Sequence, residues 1–570
     1  MTLLKTFATS FIPAVCLLLA LFCAVAPGAD AAPDRSQTEI MRLGERMYRD
    51  GILPSGKQMN AVIRDDVAID SSAFSCSSCH LRAGLGSFEG GVSTPPTTGK
   101  KLFEPYYRPP SLGDVRNSAG RFTYQKTVIQ RPAYTRKSLA SALRFGTDPA
   151  GMTFNDVMPR YPLADADMDI LVSYLEKLSA EPSPGATATE FRFATIITDD
   201  VSQEDRQELL LPLQTFIENK NDQNQMYKEF LQTGFIPTID MIHAFRQASL
   251  DVWELKGAPE TWKSQLAAYY AKNPVFAVLG GISNRDWKPI HEFCESQRLP
   301  CLFPVTDFPV VSESGWYTYY YNKGFAQEGE AAAHYLNRME ELSVKTPILQ
   351  VVQDSPTGKA LAAGFLNSWN ELERTAVDTV ILSADQLLDQ PTVEKLLSKY
   401  KPGVLVLWTD ATLLTNLPAL AGRISAPKII LMSSGYLGNK TTTIAESVRD
   451  RVYLTYPYRL APYVGTKDGG IDAKVPILAS TKRLGERRIS TRTTSMLTQV
   501  ALRGLYFMYD NLYRDHLLDI MSTQMDITVL DYERFSFGPG QRYVSKGCYI
   551  IQLGSGVEPA LLQRSDWVIH

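Results

Sequence analysis

Beyond residue 190 the chain alternates between short apolar runs and longer amphipathic ones, and few folds accommodate that rhythm. FRFATIIT (191–198), PVFAVLGGIS (274–283), LPCLFPVT (299–306), PILQVVQD (347–354), GVLVLWTD (403–410) and KIILMSS (428–434) are mostly apolar and read as buried strands. Between them stand helical stretches such as EDRQELLLPLQTFIENK, DWKPIHEFCESQR, AQEGEAAAHYLNRME and GKALAAGFLNSWNELE. Such alternation builds a mostly parallel sheet wrapped by helices. Residues 191–570 are too many for one such sheet, so two α/β lobes are expected. Ligands of these sheets lie at the carboxyl ends of strands. Here those turns are polar or glycine-rich: Gly280 to Ser283, Thr306-Asp307, Asp354 to Gly358, Thr409-Asp410 and Ser433 to Gly435.

The first part of the chain reads differently. Cys76-Ser77-Ser78-Cys79-His80 has the C-x-x-C-H spacing that attaches a c-type haem covalently, two thiols adding to the vinyl groups and the histidine meeting the iron. A zinc site would need further ligands, and no other Cys or His lies within the surrounding hundred residues. The N-terminus agrees with this reading. After Lys5 the stretch from Thr6 to Ala29 is uncharged, then Ala29-Asp30-Ala31 gives an A-x-A pattern. That is a secretory signal peptide over 1–31, the alternative being a retained anchor helix. No later stretch is long and apolar enough to span a bilayer, so a periplasmic location without a transmembrane domain is expected after cleavage. Net charge is −3 and charged residues make up 21% of the chain, which gives no nucleic-acid surface.

The iron's other face needs a ligand or an open site. Met158 stands in Val157-Met158-Pro159-Arg160-Tyr161, just ahead of a helical stretch from Asp165 to Leu178; Met152, after Gly151, competes. With EIMRLGERMYRDG, the C-x-x-C-H, Pro-Pro-Ser-Leu at 109–112 and RPAYTRKSLASALRFGTDPAG, residues 36–180 resemble a class I type cytochrome c domain. The resemblance implies a small all-α fold and one covalent haem c held by Cys76 and Cys79. It implies axial ligands His80 and Met158, a Pro109 or Pro110 carbonyl accepting from His80, and Tyr161 packed at the haem.

SAEPSPGATATE (179–190) reads as a semi-flexible linker, assigned to 181–190. After it, VFAVLGGIS, LPCLFPVT, YTYYYNKGFAQEGEAAAHYL, VVQDSPTGKALAAGF and SMLTQVALRGLYFMYDNL resemble the type 1 periplasmic solute-binding proteins, in the branch that binds leucine-like amino acids. That likeness implies a two-lobe domain over 191–570. Its cleft would use Ser283 and Thr306 for a carboxylate, and Thr357 where the family has a tyrosine. The family's acidic residue falls at Gly435, leaving Asp307 or Asp410 to substitute. Trp316 and Tyr317 to Tyr321 are candidates for the cleft wall, against the commoner reading of an aromatic stripe as core. Cys294 and Cys301, seven apart in an oxidising compartment, suggest a disulfide.

Together these readings give a multidomain protein, an all-α cytochrome c domain followed by a two-lobe α/β domain. Electron transfer through one haem to a periplasmic redox partner is the expected activity, with a cleft that senses a small ligand, such as an amino acid or small organic acid, or docks a partner. The alternatives are the substrate-binding component of an ABC-type uptake system and a haem-linked oxidoreductase. No nicotinamide, flavin or nucleophile–base motif points to an enzyme.

Overall fold

The computed structural model describes residues 35–569 except for 64–66, 71–73, 109–128, 233–245, 312–314, 344, 375, 387, 422–425, 461–487, 524–525, 530 and 538–539. The expected signal peptide over 1–31 therefore lies outside the described residues, as do Pro109 and Pro110. Among the described residues no helix is long and apolar enough to cross a membrane. The chain divides into two compact units between Ala180 and Glu181.

The first unit is built on two helices, Gln37–Asp50 and Asp165–Lys177. The first starts because the Ser36 side chain accepts from Glu39 N, and it ends at Gly51, whose φ of 66° only glycine adopts freely. Leu43, Met47 and Tyr48 on one helix meet Met168, Leu171 and Leu175 on the other in a single apolar core. Their crossing is set by Gly44: a Cβ there would lie 2.4 Å from Tyr174 Cβ and 2.9 Å from the Ile170 carbonyl. Gly44→Ala should therefore push the helices apart and cost the unit about 1–3 kcal/mol, read as faster hydrogen exchange in Asp165–Lys177; unchanged protection there would count against this packing.

Shorter helices, Cys76–His80, Gly99–Phe103 and Arg136–Phe145, complete the helical part. The unit is not all-α, however. Among the described residues three antiparallel ribbons interrupt it: β1 (Asn60–Ile63) with β2 (Val67–Asp70), β3 (Phe88–Glu89) with β4 (Val92–Ser93), and β5 (Tyr106–Arg108) with β6 (Ile129–Arg131). The β3–β4 turn is Gly90-Gly91, both at positive φ, the chemistry a two-residue hairpin turn requires.

The second unit holds two sheets. The first has strand order β11-β10-β9-β7-β8, all parallel, with β7 (Glu190–Thr198), β8 (Gln247–Leu255), β9 (Ala277–Leu279), β10 (Cys301–Leu302) and β11 (Thr318–Tyr319). The second runs β13-β12-β14-β15-β16-β17-β18, with β12 (Ile348–Gln353), β13 (Asp378–Leu382), β14 (Val404–Trp408), β15 (Ile429–Ser433) and β16 (Val452–Tyr456) parallel. Antiparallel β17 (Gly547–Leu553) and β18 (Leu561–Gln563) close it. Each lobe thus repeats one doubly wound order, in which the first strand lies between the second and third. Tyr317 and Tyr319 to Tyr321 are buried in the core of the first lobe rather than exposed to a cleft.

Two further expectations are corrected. The stretch read as a linker is bound into the second unit: Ser183 N donates to the Leu512 carbonyl (2.8 Å), Arg514 N to Ser183 Oγ (3.1 Å), and Ala186 is buried. Cys294 and Cys301 are buried free thiols rather than a disulfide; the end of helix Lys288–Ser296 and the start of β10 bring them into an S–H hydrogen bond.

Candidate functional site

In the first unit the C-x-x-C-H forms the five-residue helix Cys76–His80. His80 is buried, and its Nδ1 lies 2.8 Å from the Pro95 carbonyl. A carbonyl only accepts, so Nδ1 carries the proton and Nε2 carries a bare lone pair. Burial pushes the imidazole pKa down to about 4, against a smaller opposing effect of the Pro95 hydrogen bond, which keeps the ring neutral. Nε2 has no hydrogen-bond partner. The acceptor is thus Pro95 rather than Pro109 or Pro110, because Gly86 N donates to the His80 carbonyl and folds the segment that follows back over the ring.

His80 borders a largely apolar cavity of about 280 Å³ whose walls include Cys76, Cys79, Met158, Tyr161 and Leu143. Burial drives the Cys76 thiol up to about 12, while the Tyr161 hydroxyl that hydrogen-bonds it works the other way. Tyr161 also reaches the Phe74 carbonyl at 3.3 Å. Met158 is half-buried against the core. Its loop is held by Met158 N on the Asn155 carbonyl and by Arg160, which donates to the Met158 and Phe154 carbonyls. Met152 lines the same cavity but is 41% exposed. Of the expected residues, Cys76, Cys79, His80, Met158 and Tyr161 are therefore brought to one cavity.

The second unit holds a pocket of about 140 Å³ between its lobes, lined by Thr306, Asp307, Asn322, Gly324 and Arg492 on one side and Phe325, Glu328, Ser434, Gly435 and Tyr456 to Tyr458 on the other. Of the expected cleft residues, Thr306 and Asp307 reach it. Ser283, Thr357 and Asp410 do not line it, and this corrects their assignment. Ser283 Oγ is taken by the amide of Arg285 (3.0 Å), Asp410 caps the turn Ala411–Thr415 through Thr412 N (2.9 Å), and Thr357 stands in the first turn of helix Pro356–Glu371.

Sequence reasoning missed Glu328 and Arg492. Glu328 is buried and accepts hydrogen bonds from Ser433 Oγ (2.7 Å), Thr455 Oγ1 and the Gly435 amide. Burial raises its pKa to about 7 against those donors, with Asp307 adding a like charge. A Cβ on Gly435 would lie 2.5 Å from Glu328 Oε1. A carboxyl group thus stands beside Gly435, brought there by another element, helix Phe325–Arg338. The signal was a glutamate within the apolar stripe Phe325, Ala332 and Leu336 of that helix.

No family model matches the chain, and no curated protein matches it. Among solved structures it is similar to an ABC transporter substrate-binding protein from Sphaerobacter thermophilus, at 11% identity over 67% of this chain and 98% of that one, with a TM-score of 0.48. An extracellular ligand-binding receptor from Rhodopseudomonas palustris HaA2 matches at 11% identity over 66% of this chain and 100% of that one, with a TM-score of 0.44. An R. palustris ABC transporter solute-binding protein in complex with benzoate matches at 12% identity over 67% and 99%, with a TM-score of 0.40. At such values the two-lobe description of the second unit rests on its own strand order rather than on these likenesses.

Proposed function

We propose that the chain is an exported two-lobe ligand-binding protein whose first unit carries one covalent haem c for electron transfer. The ligand-binding half is supported by the pocket between two doubly wound lobes, where Thr306, Asp307, Glu328 and Arg492 converge. The haem half is carried by one observation: the bare, buried Nε2 of His80 at an apolar cavity that two thiols of the same short helix also border. A buried imidazole nitrogen without a partner is costly, and a metal answers it.

The residues present fit a c-type haem: Cys76 and Cys79 would hold it covalently, and His80 and Met158 would bind its iron. When bound, the haem supplies one-electron exchange, which a thioether ligand biases towards the reduced state. Pro95 fixes the orientation and tautomer of His80. Arg160 holds the Met158 loop, and Tyr161, Leu139 and Leu143 exclude water from the cavity. A redox partner protein would deliver or collect the electron.

The test is expression in a host that matures c-type cytochromes, followed by denaturing mass measurement. The chain should retain the mass of one haem, and replacing both Cys76 and Cys79 by alanine should abolish it. A haem-free chain, in a host that loads a control cytochrome c in the same culture, overturns the haem reading.

A further inference from the structure

Resting on the ligand-binding reading of the second unit, we infer that the pocket between its lobes takes a small organic monocarboxylate and that Arg492 is the residue that holds the carboxylate. Arg492 is only 5% exposed and lines the pocket. Its guanidinium lies over the Tyr321 ring, 4.5 Å from the centroid, and the Tyr321 hydroxyl donates back to the Arg492 carbonyl at 2.6 Å. The head group is therefore backed by an aromatic ring at the pocket wall.

Other buried arginines of this unit are answered by the fold. Arg488 pairs with Asp531 (2.9 Å), Arg246 with Asp510 (2.8 Å), Arg449 with the Gly554 and Gly556 carbonyls, and Arg514 with a ring of carbonyls. Arg492 differs: among the described residues no side-chain hydrogen bond or ion pair answers any part of its guanidinium, whereas Arg246, whose Nε is likewise buried without a partner, has its head group on Asp510. A guanidinium offers five N–H donors in a fork that matches a carboxylate, and leaving buried donors unanswered is costly.

Two features narrow the class further. Asp307 lines the same pocket and Glu328 adds its charge only once it ionises, so a dianion such as phosphate meets about twice the repulsion of a single carboxylate. The volume is about 140 Å³ and Phe325, Tyr456, Pro457 and Tyr458 form part of the wall, which suits a short hydrocarbon or aromatic body.

The experiment is calorimetric titration of the full chain with sodium butanoate, 4-methylpentanoate and phenylacetate, with leucine, with the matching amides butanamide and phenylacetamide, and with inorganic phosphate. At least one carboxylate should bind, its amide roughly 10- to 100-fold more weakly, as loss of a charge-assisted pair implies. Phosphate should not bind. Leucine against 4-methylpentanoate, which differ by the amino group, tells a zwitterion from a plain acid; either upholds the carboxylate contact. Arg492→Gln should lose binding and Arg492→Lys should recover part of it, each checked for an unchanged thermal midpoint. The acid–amide comparison needs no variant, so a misfolded Arg492→Gln leaves the test intact. Amides binding as tightly as acids, or phosphate binding better, overturns the inference while leaving a ligand-binding protein. Equal affinity in Arg492→Gln overturns the role of that residue. If none of these and no member of a broad metabolite panel binds, the ligand-binding reading itself falls, and the inference with it.

Discussion

Replacing Arg514 by methionine should cost the second unit more than about 4 kcal/mol, because it strips a buried polar cluster of the guanidinium that donates to it. Arg514 is buried where the start of the unit, the first sheet and the C-terminal part of the chain meet. Its Nε donates to the Phe276 carbonyl (3.0 Å), Nη1 to those of Gln297 and Arg298 (3.3 Å each), and Nη2 to those of Pro184 (3.2 Å) and Val275 and to the Tyr270 hydroxyl (3.0 Å). Methionine fills similar space but satisfies none of these oxygens. Arg514→Lys keeps the charge without the fork, so it should fall between wild type and Arg514→Met. All seven tryptophans lie in the second unit, so urea unfolding followed by tryptophan fluorescence reports this unit alone. An unchanged midpoint in Arg514→Met would show that the carbonyls find other donors.

The second large effect is one of pH. The Glu328 carboxyl sits near 7 in the folded protein against 4.5 ordinarily. The folded state therefore holds a proton that the unfolded chain has released across that window. Stability from this group is fully present below about 4.5 and falls as pH rises, the loss being complete above about 7. The difference corresponds to something on the order of 3 kcal/mol. The groups facing the carboxyl are Ser433, Thr455 and the Gly435 amide as donors, Asp307 from the other lobe and the Cys548 thiol of β17. Glu328→Gln keeps the shape and removes the titration. The urea midpoint of the variant should exceed that of wild type at pH 8 and match it near pH 4.5. Parallel profiles for the two proteins would place the proton elsewhere.

The sheets were legible because strands buried on both faces are written as unbroken apolar runs. PILQVVQD contains β12, and all six residues of that strand are buried. QASLDVWEL escaped notice because β8 is an edge strand whose Asp251 and Glu254 are answered by neighbours, Asn273 and Arg206, rather than by water alone. The short ribbons of the first unit were missed for a related reason: two- to four-residue strands leave too little pattern to read. Two Pro-Pro dipeptides follow His80, and only the fold chooses Pro95 over Pro109 or Pro110. Strand-end turns located Thr306 and Asp307, but a polar turn residue is as readily consumed by its own loop, as Ser283 and Asp410 are. Arg492 and Glu328 reach the pocket from helices distant in sequence, so no local pattern announces them.

The first lobe draws its core from residues between Ala186 and Tyr321 together with residues between Ile489 and Val544, and the sheet of the second lobe is completed by β17. Synthesis runs from the N-terminus, so neither lobe can close until the chain beyond Ile489 has been made. Parallel pairing at long sequence separation is slow, and sheets with open edges invite aggregation while they wait. The second unit is thus a late folder, and a chain that includes β16 but stops before Ile489 leaves two half-built lobes rather than one finished and one missing.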